Sequence, residues 1–174
     1  MSPVLPMPQP PVIRPLTAAD SLQELTTLLH DAYRQLADLG LNYMAVDQSV
    51  AVTAERVAQG LCLVASEDAR LRGTILFRNA QQTHGCGWYD RPEVASIAQF
   101  AVDPTLQAQG LGRQLLQAAE AQARLSGAEE LALDTAEPAT HLVNWYTRLG
   151  YRFTEHVQWS HTNYRSVILS KALV

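Results

Sequence analysis

A short glycine-containing segment is the part of this sequence whose residue types and spacing point most directly to chemistry. The six residues Gln107-Ala108-Gln109-Gly110-Leu111-Gly112 stand between a predicted strand and a predicted amphipathic helix. Glycine has no Cβ, so the backbone can turn sharply there and approach a ligand closely. The first N–H groups of a helix have no helical partner and lie at the positive end of its dipole. The segment therefore favours a binding site for a phosphate or pyrophosphate group.

Two other phosphate-binding loops do not fit this segment. A Walker loop requires Lys and then Ser or Thr after its second glycine, whereas Arg113 and Gln114 follow Gly112. The dinucleotide fingerprint requires a small residue three places after Gly112, where this sequence has Leu115. A nicotinamide-dependent oxidoreductase is therefore disfavoured. A plain glycine-containing helix start, with no ligand, remains the alternative on these residues alone.

The surrounding residues resemble the acetyl-CoA-binding motif of the GNAT superfamily of N-acetyltransferases. The run Phe100-Ala101-Val102-Asp103-Pro104 ends a predicted strand, the pattern Gln107-x-x-Gly110-x-Gly112 follows it, and a helix then begins. The segment Asn144 to Tyr151 (NWYTRLGY) is similar to the family's Tyr-x-x-x-Gly-Phe/Tyr signature. The resemblance is most specific from Val94 to Tyr151 and weakest before Phe77.

The resemblance implies acetyl-CoA as cosubstrate and an amine of a small molecule or a peptide as acceptor. It implies that the strand backbone pairs with the pantetheine arm of the cosubstrate, and that the loop and helix start hold its pyrophosphate. Many members carry Asn seven residues before the signature tyrosine, where this sequence has Ala139; Asn144 is the nearby asparagine. The residues so assigned to the cosubstrate are Phe100, Ala101, Val102, Gln107, Ala108, Gln109, Gly110, Leu111, Gly112, Arg113 and Asn144.

The implied reaction is direct attack of the amine on the thioester, and Tyr146 matches the position that protonates the departing thiolate in many members. A base or an ordered water must also take the proton of the amine. Glu93, at the start of the cosubstrate strand, is the best-placed carboxylate for that role, and Asp134 and His84 are further candidates. A backbone N–H released at a bulge near Phe100–Val102 is the candidate donor to the developing oxyanion.

Tyr146 also fits a purely structural interpretation. Leu142, Trp145, Tyr146 and Leu149 lie on one helical stripe, and such stripes more often face a core than a substrate. The spacing to Gly150 favours the catalytic interpretation. The alternative function is a non-catalytic acetyl-CoA-binding domain that acts as a sensor or interaction domain.

Three polar or aromatic residues between the first two predicted helices, Asn42, Tyr43 and Gln48, correspond to the acceptor-binding loop of the family. They are candidate acceptor contacts, and an ordinary surface loop is the alternative. The sequence pattern starts the second helix at Thr53 and a later one at Pro138.

Strand-like and helix-like segments follow one another in the order β-α-α-β-β-β-α-β-α-β-β, which predicts a single mixed α/β domain over residues 12–174. The resemblance implies a GNAT-like, mostly antiparallel central sheet flanked by helices. The proline-rich residues 1–11 predict a flexible N-terminal arm. The terminal strands are candidates for pairing two copies into a homodimer.

Composition narrows the function classes further. The chain has 174 residues, 47% of them hydrophobic, a net charge of −4 and only 13 Lys and Arg, which disfavours a general nucleic-acid binder. Cys62 and Cys86 do not form a CxxC pair, so neither a disulfide framework nor a zinc site is indicated and no metal is expected. The N-terminus lacks signal-peptide features, and no apolar run approaches the roughly 20 residues of a membrane span. We therefore expect a cytoplasmic protein with no membrane partner.

Overall fold

A computed structural model of the chain describes residues 1–5, 7 and 9–174. Pro6 and Pro8, in the expected N-terminal arm, lie outside the described residues, and the flexibility of that arm stays a prediction. The elements follow the predicted order. They are β1 (Val12–Pro15), α1 (Leu22–Asp38), α2 (Val50–Val57), β2 (Leu61–Glu67), β3 (Arg70–Arg78), β4 (Val94–Val102), α3 (Leu111–Leu125), β5 (Glu130–Ala136), α4 (Thr140–Arg148), β6 (Arg152–Val157) and β7 (Ser166–Ala172).

One sheet carries all seven of these strands, in the order β1-β2-β3-β4-β5-β7-β6. Neighbouring strands run antiparallel except β4 and β5, which are parallel because α3 connects them as a crossover. The predicted mixed, mostly antiparallel sheet flanked by helices is thereby confirmed. Alternate strand residues point to opposite faces, so each face packs its own helices. One face packs against α3 and α4 through residues such as Ile75, Leu115 and Tyr151, and the other packs against α1 through Leu25 and Leu29.

The parallel joint between β4 and β5 is short. It consists of the pairs Val94↔Glu130, Ala95↔Leu131 and Ser96↔Ala132. Beyond Ser96 both strands continue, over residues 97–102 of β4 and 133–136 of β5, without pairing to each other. The two halves of the sheet therefore diverge and leave a cleft between them.

Two helices begin at other residues than the sequence pattern predicts. Helix α2 starts at Val50, three residues before Thr53, because the Ser49 hydroxyl accepts a hydrogen bond from the Val52 N–H (3.2 Å) and caps the helix. Helix α4 starts at Thr140, two residues after Pro138. The proline instead lies in a turn closed by the N–H of residue 139 and the carbonyl of residue 136 (3.0 Å).

Candidate active site

The glycine segment places free backbone donors at the start of α3. Gly110 is the residue before the helix and has a left-handed backbone (φ 87°), which an L side chain adopts only with strain. The first α-helical hydrogen bond runs from the Gln114 N–H to the Gly110 carbonyl (3.1 Å). The N–H groups of Leu111, Gly112 and Arg113 precede that bond and have no helical acceptor. These donors, together with the Arg113 side chain, fit a pyrophosphate.

A groove of about 510 Å³ runs past these donors, between the end of β4, the start of α3 and helix α4. Gly112 contributes to its shape: a Cβ there would lie 3.6 Å from Val102 Cγ2 and 3.7 Å from Phe100 Cζ, so glycine leaves this part of the groove open. The residues that line the groove and were assigned to the cosubstrate from the sequence are Phe100, Ala101, Val102, Gln107, Ala108, Gly110, Gly112 and Arg113.

Three other residues assigned to the cosubstrate do not present side chains to the groove. The Leu111 side chain is buried in the core, so only its backbone N–H is available. The Gln109 side chain is exposed and lies near the Thr105 carbonyl. Asn144 is exposed on α4 and lies outside the groove lining.

Strand β4 carries a bulge where it leaves β5. Thr74 pairs with Ala101 and Leu76 with Ala98, so one residue of β3 stands opposite both Gln99 and Phe100. Gln99 has a positive φ of 47°, uncommon for a residue other than glycine. The sequence placed a bulge near Phe100–Val102, and the structure has it at Gln99 and Phe100. Beyond the bulge this edge of β4 does not pair with β5, although the Phe100 carbonyl accepts a hydrogen bond from the Tyr33 hydroxyl (3.0 Å).

Tyr146 lies where the groove meets a second cavity, and it lines both. Its ring packs at 5.0 Å from the Trp145 ring and 5.8 Å from the Tyr151 ring (centroid to centroid), and the residue is 8% exposed. Burial raises the pKa of the Tyr146 phenol well above its ordinary value, so the hydroxyl is protonated at neutral pH. The ring thus belongs to the core, and the hydroxyl makes no hydrogen bond to another described residue.

The second cavity, which we call the acceptor cavity, has a volume of about 220 Å³ and occupies the cleft between β4 and β5. Asp134 faces it from β5. Its Oδ1 accepts a hydrogen bond from the Tyr89 hydroxyl (2.8 Å), and its Oδ2 accepts one from Trp159 Nε1 (3.1 Å). Burial, reinforced by the nearby Asp134 charge, raises the pKa of Tyr89 well above its ordinary value. The two hydrogen bonds hold the Asp134 carboxylate in one orientation towards the cavity.

The structure does not bring the other base candidates to this cavity. The Glu93 carboxylate accepts a hydrogen bond from Arg91 Nε (2.7 Å) and lines a separate depression. Seven residues of extended chain separate Glu93 from Phe100, roughly 20 Å along β4. His84 is exposed and lies outside the cavity lining.

The three candidate acceptor contacts have different positions. Tyr43 lines the cavity, but its hydroxyl accepts a hydrogen bond from the N–H of residue 136 (2.8 Å) and lies 2.8 Å from the Thr135 hydroxyl. Asn42 forms reciprocal side chain–backbone bonds with Asn163, of 2.8 and 3.1 Å, which tie the loop after α1 to the loop between β6 and β7. Gln48 is buried beneath the cavity rather than lining it.

Arg56 and Trp159 are among the lining residues of the acceptor cavity that the sequence did not indicate. Arg56 lies three places after the buried Thr53, on the inner side of the amphipathic helix α2, and an arginine at such a position is a signal that the sequence does contain. Trp159 comes after β6, in a loop whose fold against Asp134 no local pattern encodes.

Across residues 1–5, 7 and 9–174, no three His, Cys, Asp or Glu side chains are grouped as ligands for a metal ion. In the same part of the chain, the helices are all too short or too polar to cross a bilayer.

Comparison with known proteins supports the resemblance seen in the sequence. A sequence model described as the acetyltransferase (GNAT) family matches residues 22–151. S-(2-succino)cysteine N-acetyltransferase of Bacillus subtilis (strain 168) is 30% identical over 138 residues, which are 76% of this chain and 78% of that protein. A GNAT family acetyltransferase from Elizabethkingia anophelis with acetyl-CoA bound has a TM-score of 0.65 at 19% identity, over 93% of this chain and 97% of that one. A Bacillus subtilis acetyltransferase in complex with CoA has a TM-score of 0.66 at 21% identity, over 94% and 99%. The chain belongs to the GNAT family of acetyltransferases.

Proposed function

We propose that this enzyme transfers the acetyl group of acetyl-CoA to a primary amine of a small molecule or a peptide, with Tyr146 as general acid. The observation that carries the proposal is the position of Tyr146 at the junction of the groove and the acceptor cavity, where its hydroxyl makes no hydrogen bond to another described residue. A hydroxyl at this junction can reach a thioester that enters from the groove and is attacked by an amine from the cavity.

On the donor side, backbone groups do most of the binding. The N–H groups of Leu111, Gly112 and Arg113 hold the pyrophosphate at the positive end of α3. The free edge of β4 from Phe100 to Val102 pairs with the pantetheine arm, as an added strand would. Acetyl-CoA supplies the activated acetyl group, and these contacts position its thioester at the β4 bulge.

Two groups act on charge that develops during transfer. A backbone N–H at the Gln99–Phe100 bulge donates to the thioester oxygen as it becomes negative. Attack of the neutral amine nitrogen on the thioester carbon forms the carbon–nitrogen bond and breaks the carbon–sulfur bond. The nitrogen then releases its surplus proton to water, and the Tyr146 hydroxyl gives its proton to the leaving sulfur. Tyr146 then recovers a proton from solvent.

On the acceptor side, Asp134 attracts the ammonium form of the amine and receives its proton, directly or through water. The support for this role is its place in the cavity lining and the two hydrogen bonds that fix its carboxylate. Glu93, by contrast, lies too far along β4 to serve the same cavity. S-(2-succino)cysteine, named in the activity of the Bacillus subtilis relative, is the first acceptor to assay. Association into a homodimer and a cytoplasmic location stay predictions.

The test measures free-thiol release when the protein is mixed with acetyl-CoA and a panel of primary amines, beside melting temperatures with CoA or NADH. We expect amine-dependent thiol release and stabilisation by CoA, because a ligand that binds only the folded state stabilises it by mass action. Stabilisation by CoA without thiol release for any amine would favour the non-catalytic sensor. Stabilisation by NADH and not by CoA would contradict both.

A further inference from the structure

Arg56 is a charged side chain of the acceptor cavity that the proposed reaction does not use. It comes from α2, is half-buried, and lines the cavity with Asp134, which comes from β5. Its protein hydrogen bond runs from Nη1 to Gln48 Oε1 (2.9 Å). Among the described residues, no carboxylate forms an ion pair with it. The other N–H donors of the guanidinium make no hydrogen bond to a described residue.

The cost of burying this charge indicates an anionic partner. Burial is the largest influence on the Arg56 guanidinium and lowers its pKa, although the group remains charged at neutral pH. The Asp134 carboxylate favours the charged guanidinium but forms no ion pair with it, so a carboxylate of a ligand would compensate this partly buried charge more directly. A guanidinium also presents paired donors that match the two oxygens of a carboxylate.

The Gln48 side chain holds the Arg56 guanidinium in place. Gln48 Nε2 donates to Gln99 Oε1 (2.7 Å) and lies 2.8 Å from Thr53 Oγ1, so the Gln48 amide is fixed with its oxygen towards Arg56. The Gln48 carbonyl is in turn 2.7 Å from His30 Nε2. A binding group oriented by such packed partners loses little freedom when its ligand arrives. The same Gln48 amide supports the β4 bulge through Gln99.

We propose that the acceptor is a zwitterion, an amino acid or amino-acid derivative with a free carboxylate, whose carboxylate binds Arg56 while its amine lies on the Asp134 side. This inference rests on the proposed acetyl transfer and adds the class of acceptor. Opposite charges contributed by two distant elements to one cavity match a ligand that carries both signs. An uncharged amine or an internal peptide amine leaves Arg56 without a counter-ion.

The test compares acceptors that differ only in the carboxylate. L-Methionine, L-phenylalanine and L-aspartate are each assayed against the corresponding α-carboxamide, with acetyl-CoA as donor and CoA release as the readout. We expect kcat/KM to be about tenfold to a hundredfold higher for the acids than for the amides, as for loss of a charge-assisted hydrogen bond. More of each amide is in the neutral, reactive amine form, so chemistry alone would favour the amides.

Substitutions at Arg56 test whether this residue causes the preference for acids over amides. Arg56→Met should bring the acid-to-amide ratio close to one, and Arg56→Lys, which keeps the charge but not the paired donors, should give an intermediate ratio. Arg34→Met is the matched control, because it removes one positive charge from an exposed position outside the cavity lining and should keep the wild-type ratio.

An acid-to-amide ratio near one in the wild-type enzyme overturns the inference and leaves acetyl transfer to amines standing. A high acid-to-amide ratio that stays the same in Arg56→Met also overturns the inference. If Arg56→Met does not fold, the wild-type ratio and the Arg56→Lys ratio decide.

Discussion

The cosubstrate groove and the acceptor cavity meet at Tyr146, but they are built from different kinds of groups. The groove is lined mainly by one continuous stretch, residues 100–113, with side chains of α4 and α1 facing it, and its end at α3 presents backbone N–H groups beside glycines. The cavity is formed by side chains that come from distant parts of the chain, among them Arg56, Asp134 and Trp159. A backbone site can be recognised from glycine spacing, whereas a side-chain site depends on which elements the topology brings together.

The largest expected effect is at Tyr146, which belongs to both regions. Tyr146→Phe keeps the ring in the core and removes the hydroxyl. If the hydroxyl is the general acid, turnover falls by a factor of roughly 10²–10⁴ while CoA affinity is unchanged, as steady-state kinetics and CoA titration would measure.

Tyr151→Phe is the matched control for that variant. Tyr151 packs edge-to-face against Tyr146, and its buried hydroxyl has no hydrogen-bond partner in the described part of the chain. Its loss should leave turnover unchanged. Wild-type turnover in Tyr146→Phe would restore the purely structural interpretation of the stripe on α4.

A smaller effect, confined to the groove, is expected at Gly110. Gly110 and Gly127 have nearly the same backbone (φ 87° and 84°), and a Cβ added at either would meet nothing within 4 Å. Alanine at either position should cost about 1–2 kcal/mol of stability through left-handed strain. Only Gly110→Ala puts the methyl group where the pyrophosphate binds, so we expect CoA affinity to fall about tenfold in that variant alone.

Calorimetric titration with CoA and thermal unfolding separate the two contributions. Gly112→Ala adds a Cβ beside the groove without a positive φ, so its CoA affinity should fall with less loss of stability. Equal CoA affinity in Gly110→Ala and Gly127→Ala would remove the pyrophosphate from the start of α3.

The smallest expected effect on ligand binding and turnover is confined to the cavity, at Tyr43. Tyr43→Phe leaves the N–H of residue 136 without its acceptor and separates the loop after α1 from β5. We expect a loss of about 1–3 kcal/mol in stability and a raised KM for the acceptor, with CoA affinity unchanged. Tyr164→Phe, in the ring that packs 5.0 Å from Tyr43, is the control for thermal unfolding. A change in CoA affinity for Tyr43→Phe would show that the two regions are not separable.

The fold could be predicted from the sequence because its elements are bounded by local signals. Hydrophobic periodicity and the turns gave the element order, including the β4-α3-β5 crossover. Helix starts were harder to predict. The Ser49 hydroxyl caps α2 three residues before the expected start, and a backbone turn that contains Pro138 delays the start of α4 to Thr140.

The two functional regions also differ in how far the sequence predicts them. The loop from Gln107 to Gly112 was recognisable because its chemistry is local. The orientation of Asp134, set by Tyr89 and Trp159, depends on residues 45 and 25 positions away in sequence, and a single sequence does not report such distances. Glu93 shows the converse: it directly precedes β4, but it lines a separate depression at the end of that strand away from the bulge.

Only three residue pairs join β4 to β5, whereas antiparallel pairing runs without a break from β1 to β4 on one side and through β5, β7 and β6 on the other. Because so few backbone pairs link the two sets, β1–β4 and β5–β7 should behave as two cooperative units in amide hydrogen exchange, each opening with its own free energy. CoA in the groove would touch β4 in one unit and α4 in the other. Its binding should bring the two opening free energies closer together, so that the enzyme exchanges as two pieces when empty and more nearly as one when its donor is in place.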